Sequence, residues 1–242
     1  MIAYATVSEM VRNIREKTLW ADWKYVTRCW EYGWILRNGD FRPGLKCLDA
    51  GCGQAPLLGE LAGRGCKAHG LDYLQGERSA DPTTYGVPRA WIQANAGVIE
   101  YHHGSMFQAP FPDDSFDRVT FLSVLEHIFV EGPRKHEPAL LELKRILKPG
   151  GLLIVTVDYF LNREVTAYDY RDDVRVLDME LLDPAARLYT REEILADEDA
   201  YFVPPEQYLA MSYGAGFNLR PYHRLTSVGY ILRKRGGTEP RA

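Results

Sequence analysis

The sequence is short of several things, and each shortage closes off a class of protein. Cysteine is scarce: Cys29, Cys47, Cys52 and Cys66 form no Cys-x-x-Cys pair and have no histidine adjacent to them. That spacing argues against a zinc knuckle or a disulfide scaffold. Cys47 and Cys66 lie in apolar surroundings and read as buried thiols, which suits a reducing, cytoplasmic location. No apolar run approaches the roughly 20 residues needed to span a bilayer. Basic charge is not in excess, with 29 Lys and Arg against 33 Asp and Glu and a net charge of −4. Neither nucleic acid nor a membrane surface is therefore expected as a partner. The stretch 1–20 carries Glu9, Arg12, Arg15, Glu16 and Lys17 where a signal peptide would need an apolar core. Repeats and low-complexity tracts are missing too, and 159–203 contains no glycine.

What is present fits one α/β domain. The chain has 242 residues, 46% of them hydrophobic, enough for a full core. Its organising stretch is Leu45-Lys46-Cys47-Leu48-Asp49-Ala50-Gly51-Cys52-Gly53-Gln54-Ala55-Pro56. A short apolar strand ends in an acid, turns through two glycines and opens a helix at Pro56, where a missing N–H costs nothing. The glycines permit positive φ and close approach of a ligand, and the helix start turns unpaired N–H groups toward it. Lys67 to Asp72 reads as the second strand. It ends on an acid about 20 residues after the first glycine, where a βαβ unit places a carboxylate for ribose hydroxyls. A dinucleotide fingerprint would put a third glycine at position 56, which is proline here.

Further strands are expected over 98–103, 118–122 and 152–157. Amphipathic helices are expected over 56–61 and 138–148, with a short helix within 75–96. Trp23, Val26, Trp30 and Trp34 recur at helical spacing within 18–38, before the first strand. That helix places Arg28, Trp30, Glu31 and Tyr32 where they can cap the charged end of a ligand. Asp113, Asp114 and Asp117 read as turn chemistry, and His102-His103 as a strand end rather than a metal site. The long segment 159–203 reads as a partly helical cover, with helix starts at Leu181-Leu182-Asp183-Pro184 and at the Thr190–Glu193 capping box. A last helix over 204–213 precedes two closing strands, 217–223 and 227–235. The short link between them means a hairpin.

Three features together resemble class I S-adenosylmethionine-dependent methyltransferases. They are Asp49-x-Gly51-x-Gly53 after an apolar strand, the run from Phe116 to Ile128, and Leu147-Lys148-Pro149-Gly150-Gly151 before another strand. The resemblance implies a single-domain, Rossmann-like three-layer α/β sandwich, mostly parallel and ending in an antiparallel hairpin. Residues 1–44 would form a helical cap, 45–235 the core with a lid-like insertion at about 159–203, and 236–242 a flexible tail. It implies S-adenosylmethionine as cofactor. Asp49, Gly51, Cys52 and Gly53 would hold its amino-acid end and ribose edge, and Asp72 the ribose hydroxyls. Tyr73 or Leu74, with Met106, would line the adenine. Ser105 stands where the family commonly has an aspartate for the adenine amino group. Leu122 and Ser123 would flank the methionine half.

His127 falls nearer the acceptor side and is the expected base, with Asp158 and Tyr159 as further catalytic candidates; no metal is expected. The implied activity is methyl transfer to a small or medium-sized polar acceptor, with oxygen as the expected target atom. The run Trp30-Glu31-Tyr32-x-Trp34 resembles methyltransferases of glycan and natural-product pathways. The protein would act as a monomer or homodimer. A nicotinamide-dependent oxidoreductase on a related fold and a non-catalytic S-adenosylmethionine-binding module remain as alternatives.

Overall fold

A computed structural model describes residues 1–16, 26–54, 56–73, 86–129, 135–166, 168–210 and 219–236. The chain opens with β1 (Ile2–Tyr4), α1 (Val7–Arg15) and α2 (Val26–Asn38). Next come β2 (Lys46–Ala50), α3 (Leu57–Gly63), β3 (Lys67–Asp72), α4 (Arg89–Ala94) and β4 (Ile99–His103). The second half holds β5 (Phe116–Leu122), α5 (Leu125–Phe129), α6 (Glu137–Ile146) and β6 (Leu147–Phe160). It closes with α7 (Tyr170–Leu177), β7 (Glu180–Leu181), α8 (Arg191–Ala196), α9 (Pro205–Ala210) and β8 (Leu225–Arg233).

The strands form one sheet in the order β1-β8-β6-β5-β2-β3-β4, with β7 also alongside β8. β2 to β6 run parallel to their neighbours, while β8 is antiparallel to β6 and to β1. Side chains alternate across a strand, so each strand serves two cores. On β6, Leu152 and Ile154 pack with Trp30, Trp34 and Ile35 of α2. Leu153, Val155, Val157 and Tyr159 point the other way, onto Leu140, Leu143 and Ile146 of α6. The result is three layers, and the parallel strands end together along one edge of the sheet.

The α/β class and the mostly parallel sheet stand, but the closing strands need correction. Of the expected strand 217–223, residues 219–223 are coil and turn, and the earlier residues lie outside the described ones. The outer position beside β8 is filled by β1 instead, through Ile2↔Tyr230 and Tyr4↔Val228. A three-residue strand carries too little periodicity to be seen in advance. The expected helix start at Leu181–Pro184 is instead β7 followed by a turn in which Asp183 accepts the Ala185 and Ala186 N–H groups. The Thr190–Glu193 capping box is present and starts α8. Trp20, Trp23, Leu74, the end of the 204–213 helix and the tail from 237 lie outside the described residues.

The segment after β6 is fastened by buried polar groups. Asp173 on α7 is 1% exposed. It meets His136 Nε2 at 2.7 Å and accepts from the Tyr168 hydroxyl at 2.7 Å and the Tyr230 hydroxyl at 3.0 Å. Arg191 is buried as well, donating to the Phe160 and Tyr168 carbonyls and pairing with Asp169. Among the described residues no helix is long and apolar enough to cross a membrane.

Candidate functional site

The site begins where β2 ends. The turn to α3 takes Gly51 at φ 69° and Gly53 at φ 49°, in the left-handed region that side chains avoid. Gly51 is constrained twice, because a Cβ there would also lie 2.7 Å from Val124 Cγ2. Gly53 differs: nothing lies within 4 Å of where its Cβ would be. The loop is therefore open at Gly53, and its backbone is approachable.

The neighbouring strand tip supplies an acid. Asp72 Oδ2 accepts the Gly53 N–H at 2.7 Å, and Oδ1 accepts the Tyr73 N–H at 2.7 Å. Burial raises the pKa of this carboxyl, and the two N–H groups oppose the rise. Asp49 is 1% exposed, and its Oδ1 accepts the Thr120 hydroxyl at 2.6 Å. Burial pushes Asp49 up to about 7; the Thr120 bond pulls against this, while the nearby Asp72 adds to it. Two carboxyls thus share one crevice in the described chain, held by neutral donors.

A second cluster lies at the ends of β5 and β6, on the face covered by α2. Ser123 sits at φ 47°, a left-handed backbone that costs a non-glycine residue about 1–3 kcal/mol. It is held there by its N–H on the Thr156 carbonyl at 3.0 Å and its hydroxyl on Glu31 Oε1 at 2.6 Å. Glu31 is fully buried, and its other oxygen takes Arg28 at 2.5 Å. Burial alone would lower the Arg28 pKa, but Glu31, Glu126 and Asp158 carry it above the usual arginine value.

Glu126 and Asp158 are both buried. One oxygen of Glu126 has no hydrogen-bond partner among the described residues. Burial first, then the charge of Asp158, raises the pKa of Glu126 well above the ordinary carboxyl value, while the Arg28 charge opposes the rise. His127 follows on α5 with its ring reaching solvent. Partial desolvation and the Arg28 charge lower its pKa, leaving a neutral imidazole. Arg28 and Glu31, expected at the charged end of a ligand, lie in this cluster; the burial of Glu126 was not expected, since nothing in its sequence context marks it as inward-facing.

The other expected residues divide. Ser105 and Met106 follow β4. Ser105 Oγ already accepts the Phe107 N–H at 3.2 Å, and Met106 packs on the α6-side core. Tyr73 is half exposed, its ring edge-on to His103 at 5.8 Å. Leu122 is buried toward α2. The Cys52 side chain packs with Leu58, Ala68 and Val87, so this residue offers the crevice only its backbone.

Tyr159 is not brought to Asp158. Alternation along β6 sends its ring to the opposite face, against Tyr170 at 5.5 Å and beneath the Arg191 guanidinium at 4.8 Å. Asp158 itself faces Ser227, whose hydroxyl lies 3.4 Å from Oδ1. Thr120 was missed because its partner Asp49 is set by strand register, which a single sequence does not display.

With this geometry in place, residues 48–155 match a family model described as a methyltransferase domain. A demethylmenaquinone methyltransferase of Lysinibacillus sphaericus is 32% identical over 133 residues, covering 50% of this chain and 49% of that protein. A sterol 24-C-methyltransferase of Gibberella zeae is 30% identical over 162 residues, covering 64% of this chain and 38% of that protein. The matched stretch thus spans about half the length of the first relative and less of the second. Among solved structures, the YcgJ protein of Bacillus subtilis gives a TM-score of 0.52 at 16% identity, covering 85% of this chain and 98% of that one. That last likeness is one of fold.

Proposed function

We propose that the chain, whose residues 48–155 match a methyltransferase-domain model, is a class I S-adenosylmethionine-dependent methyltransferase that methylates a small or medium-sized polar acceptor at oxygen. The observation that carries this reading is the crevice between the open Gly53 backbone and the Asp72 carboxyl, with buried Asp49 behind it. Those residues fit the cofactor. Asp72 keeps lone pairs for vicinal ribose hydroxyls, and Asp49 offers negative charge to the cationic methionine end. Tyr73, Ser105 and Met106 lie past the tips of β3 and β4, on the adenine side.

When bound, S-adenosylmethionine supplies a methyl group already activated on a sulfonium. The chain's own contribution is orientation and proton handling. Arg28, Glu31 and Ser123 form a rigid wall at the end of β5, against which an acceptor can be aligned. His127, neutral beside Arg28, takes the acceptor hydroxyl's proton as charge builds. Glu126, whose burial makes it hold its proton more tightly than an ordinary carboxyl, donates a hydrogen bond to a polar group of the acceptor. The acceptor class follows from this polar, mostly acidic lining.

Purified protein is incubated with methyl-labelled S-adenosylmethionine and a panel of hydroxylated, amino and carbon acceptors. Label on an oxygen supports the proposal. Label on carbon or nitrogen would move the chemistry, binding without transfer would leave a cofactor-binding module, and preferential NAD binding would overturn it.

Two smaller effects test the cofactor residues. Asp72→Ala is expected to weaken S-adenosylmethionine binding by about 2 kcal/mol, roughly 30-fold, read by isothermal titration. A change under about threefold would remove Asp72 from the site.

Asp49 gives a pH dependence. Its folded pKa of about 7 lies above the ordinary carboxyl value of 3.8, so the folded chain holds this proton more tightly than the unfolded chain. The resulting stability is present below 3.8 and is lost as pH rises toward 7. Cofactor binding favours the ionised form, so affinity should rise from pH 6 to pH 8 with about one proton released at pH 6. Titration in buffers of different ionisation enthalpy measures that proton; no proton release would place Asp49 away from the cationic end.

A further inference from the structure

The outer part of the sheet carries a group of side chains that the crevice does not use. His69 lies on β3 and pairs in register with Glu100 on β4, and His102 stands two positions beyond Glu100. Side chains repeat every second residue along a strand, so all three project from one face. His69 Nδ1 and His102 Nε2 are 3.1 Å apart. One Glu100 oxygen is 3.5 Å from His69 Nδ1, and the other is 3.4 Å from His102 Nε2. From this triangle we propose a binding site for one divalent transition-metal cation, of the zinc class, bridging β3 and β4.

The dimensions suit the ion. Bonds of about 2.0–2.1 Å in a tetrahedron set ligand atoms about 3.3 Å apart, close to the three separations here. Two imidazoles and one carboxylate make a borderline donor set that favours zinc, nickel or copper over calcium or magnesium. The rings are already positioned. His69 stands edge-on to Phe116 at 5.4 Å and His102 edge-on to Phe111 at 4.8 Å, so an apolar floor fixes both. Glu100 is 65% exposed and free to swing over the pair, and solvent supplies the fourth ligand.

Each imidazole binds as a neutral ring, with the His69 proton on Nε2 and the His102 proton on Nδ1. The hydrogen bond that now joins the two nitrogens is given up to the metal. Lys46, whose ammonium lies 4.7 Å from the Phe116 ring centroid, is the neighbouring cation that opposes binding. The carboxylate of Glu100 offsets it. A bound cation would clip the strand carrying Asp72 to the edge strand of the sheet.

The test is independent of methyl transfer. The full chain is stripped with chelator and titrated with zinc chloride, and cobalt chloride is added separately to read coordination from its visible absorption. The expected result is one zinc per chain, a tetrahedral cobalt spectrum and a higher unfolding temperature with zinc. Glu100→Gln and His102→Ala lie at exposed or half-buried positions. Each should weaken zinc binding at least about tenfold, with the circular dichroism spectrum unchanged. His69→Gln serves as the third variant. Absence of stoichiometric zinc binding in the parent protein, or zinc binding that survives both Glu100→Gln and His102→Ala, overturns the proposal.

Discussion

His127→Ala lowers turnover by about 10²–10⁴-fold at saturating acceptor, with little change in S-adenosylmethionine affinity. The expectation rests on where the ring stands. His127 follows the strained Ser123 turn by one turn of helix and reaches solvent, and desolvation together with the Arg28 charge lowers its pKa. A base with a lowered pKa is fully available at pH 7, so activity should fall only on the acidic side of the ordinary histidine range. That acidic limb should disappear in the variant. Glu126→Gln is the companion experiment. If Glu126 acts as a protonated acid, the amide preserves most of its hydrogen bonding and turnover changes by less than about tenfold. A loss as large as that of His127→Ala would transfer the proton-accepting role to Glu126. Unchanged turnover in His127→Ala would remove the histidine from the mechanism.

Asp173→Ala is expected to destabilise the fold by about 3–5 kcal/mol, measured by urea unfolding. The carboxylate is buried at a point where α6, α7 and β8 meet, and it serves His136, Tyr168 and Tyr230 together. Removing it takes a hydrogen-bond partner from three buried side chains and leaves a cavity. For a chain of this size the melting temperature should drop by about 10 °C or more. Asp173→Asn keeps the volume and some acceptor capacity, so its cost should be smaller. A loss below about 1 kcal/mol in Asp173→Ala would mean that the hub contributes little beyond packing.

Much of the framework was legible because it follows local rules. β2, β3 and β5 are compact apolar runs, α6 has a regular apolar stripe, and the glycine turn announces itself by composition. The place of Asp72 at the tip of β3 followed from spacing alone. What escaped depends on contacts between distant residues. β1 is identified only by its pairing with β8, and Thr120 matters only because register sets it beside Asp49. Asp173 looks like one acid among several in a charged segment until its three partners are seen. Tyr159 shows a related limit: the pleat sends its ring and the adjacent Asp158 carboxyl to opposite faces of the sheet. His102 reads in the sequence only as part of a strand end, and it converges with His69 and Glu100 only when two strands lie side by side.

The seating of β1 has a consequence for biosynthesis. Its outermost contact joins Met1 to Ile231, groups 230 positions apart, so this seam closes only after β8 has left the ribosome. Until then the opening strand and the incomplete sheet margin each display unpaired amides, an invitation to wrong partners. Nascent chains stalled before β8 should therefore depend on chaperones far more than chains that already carry it.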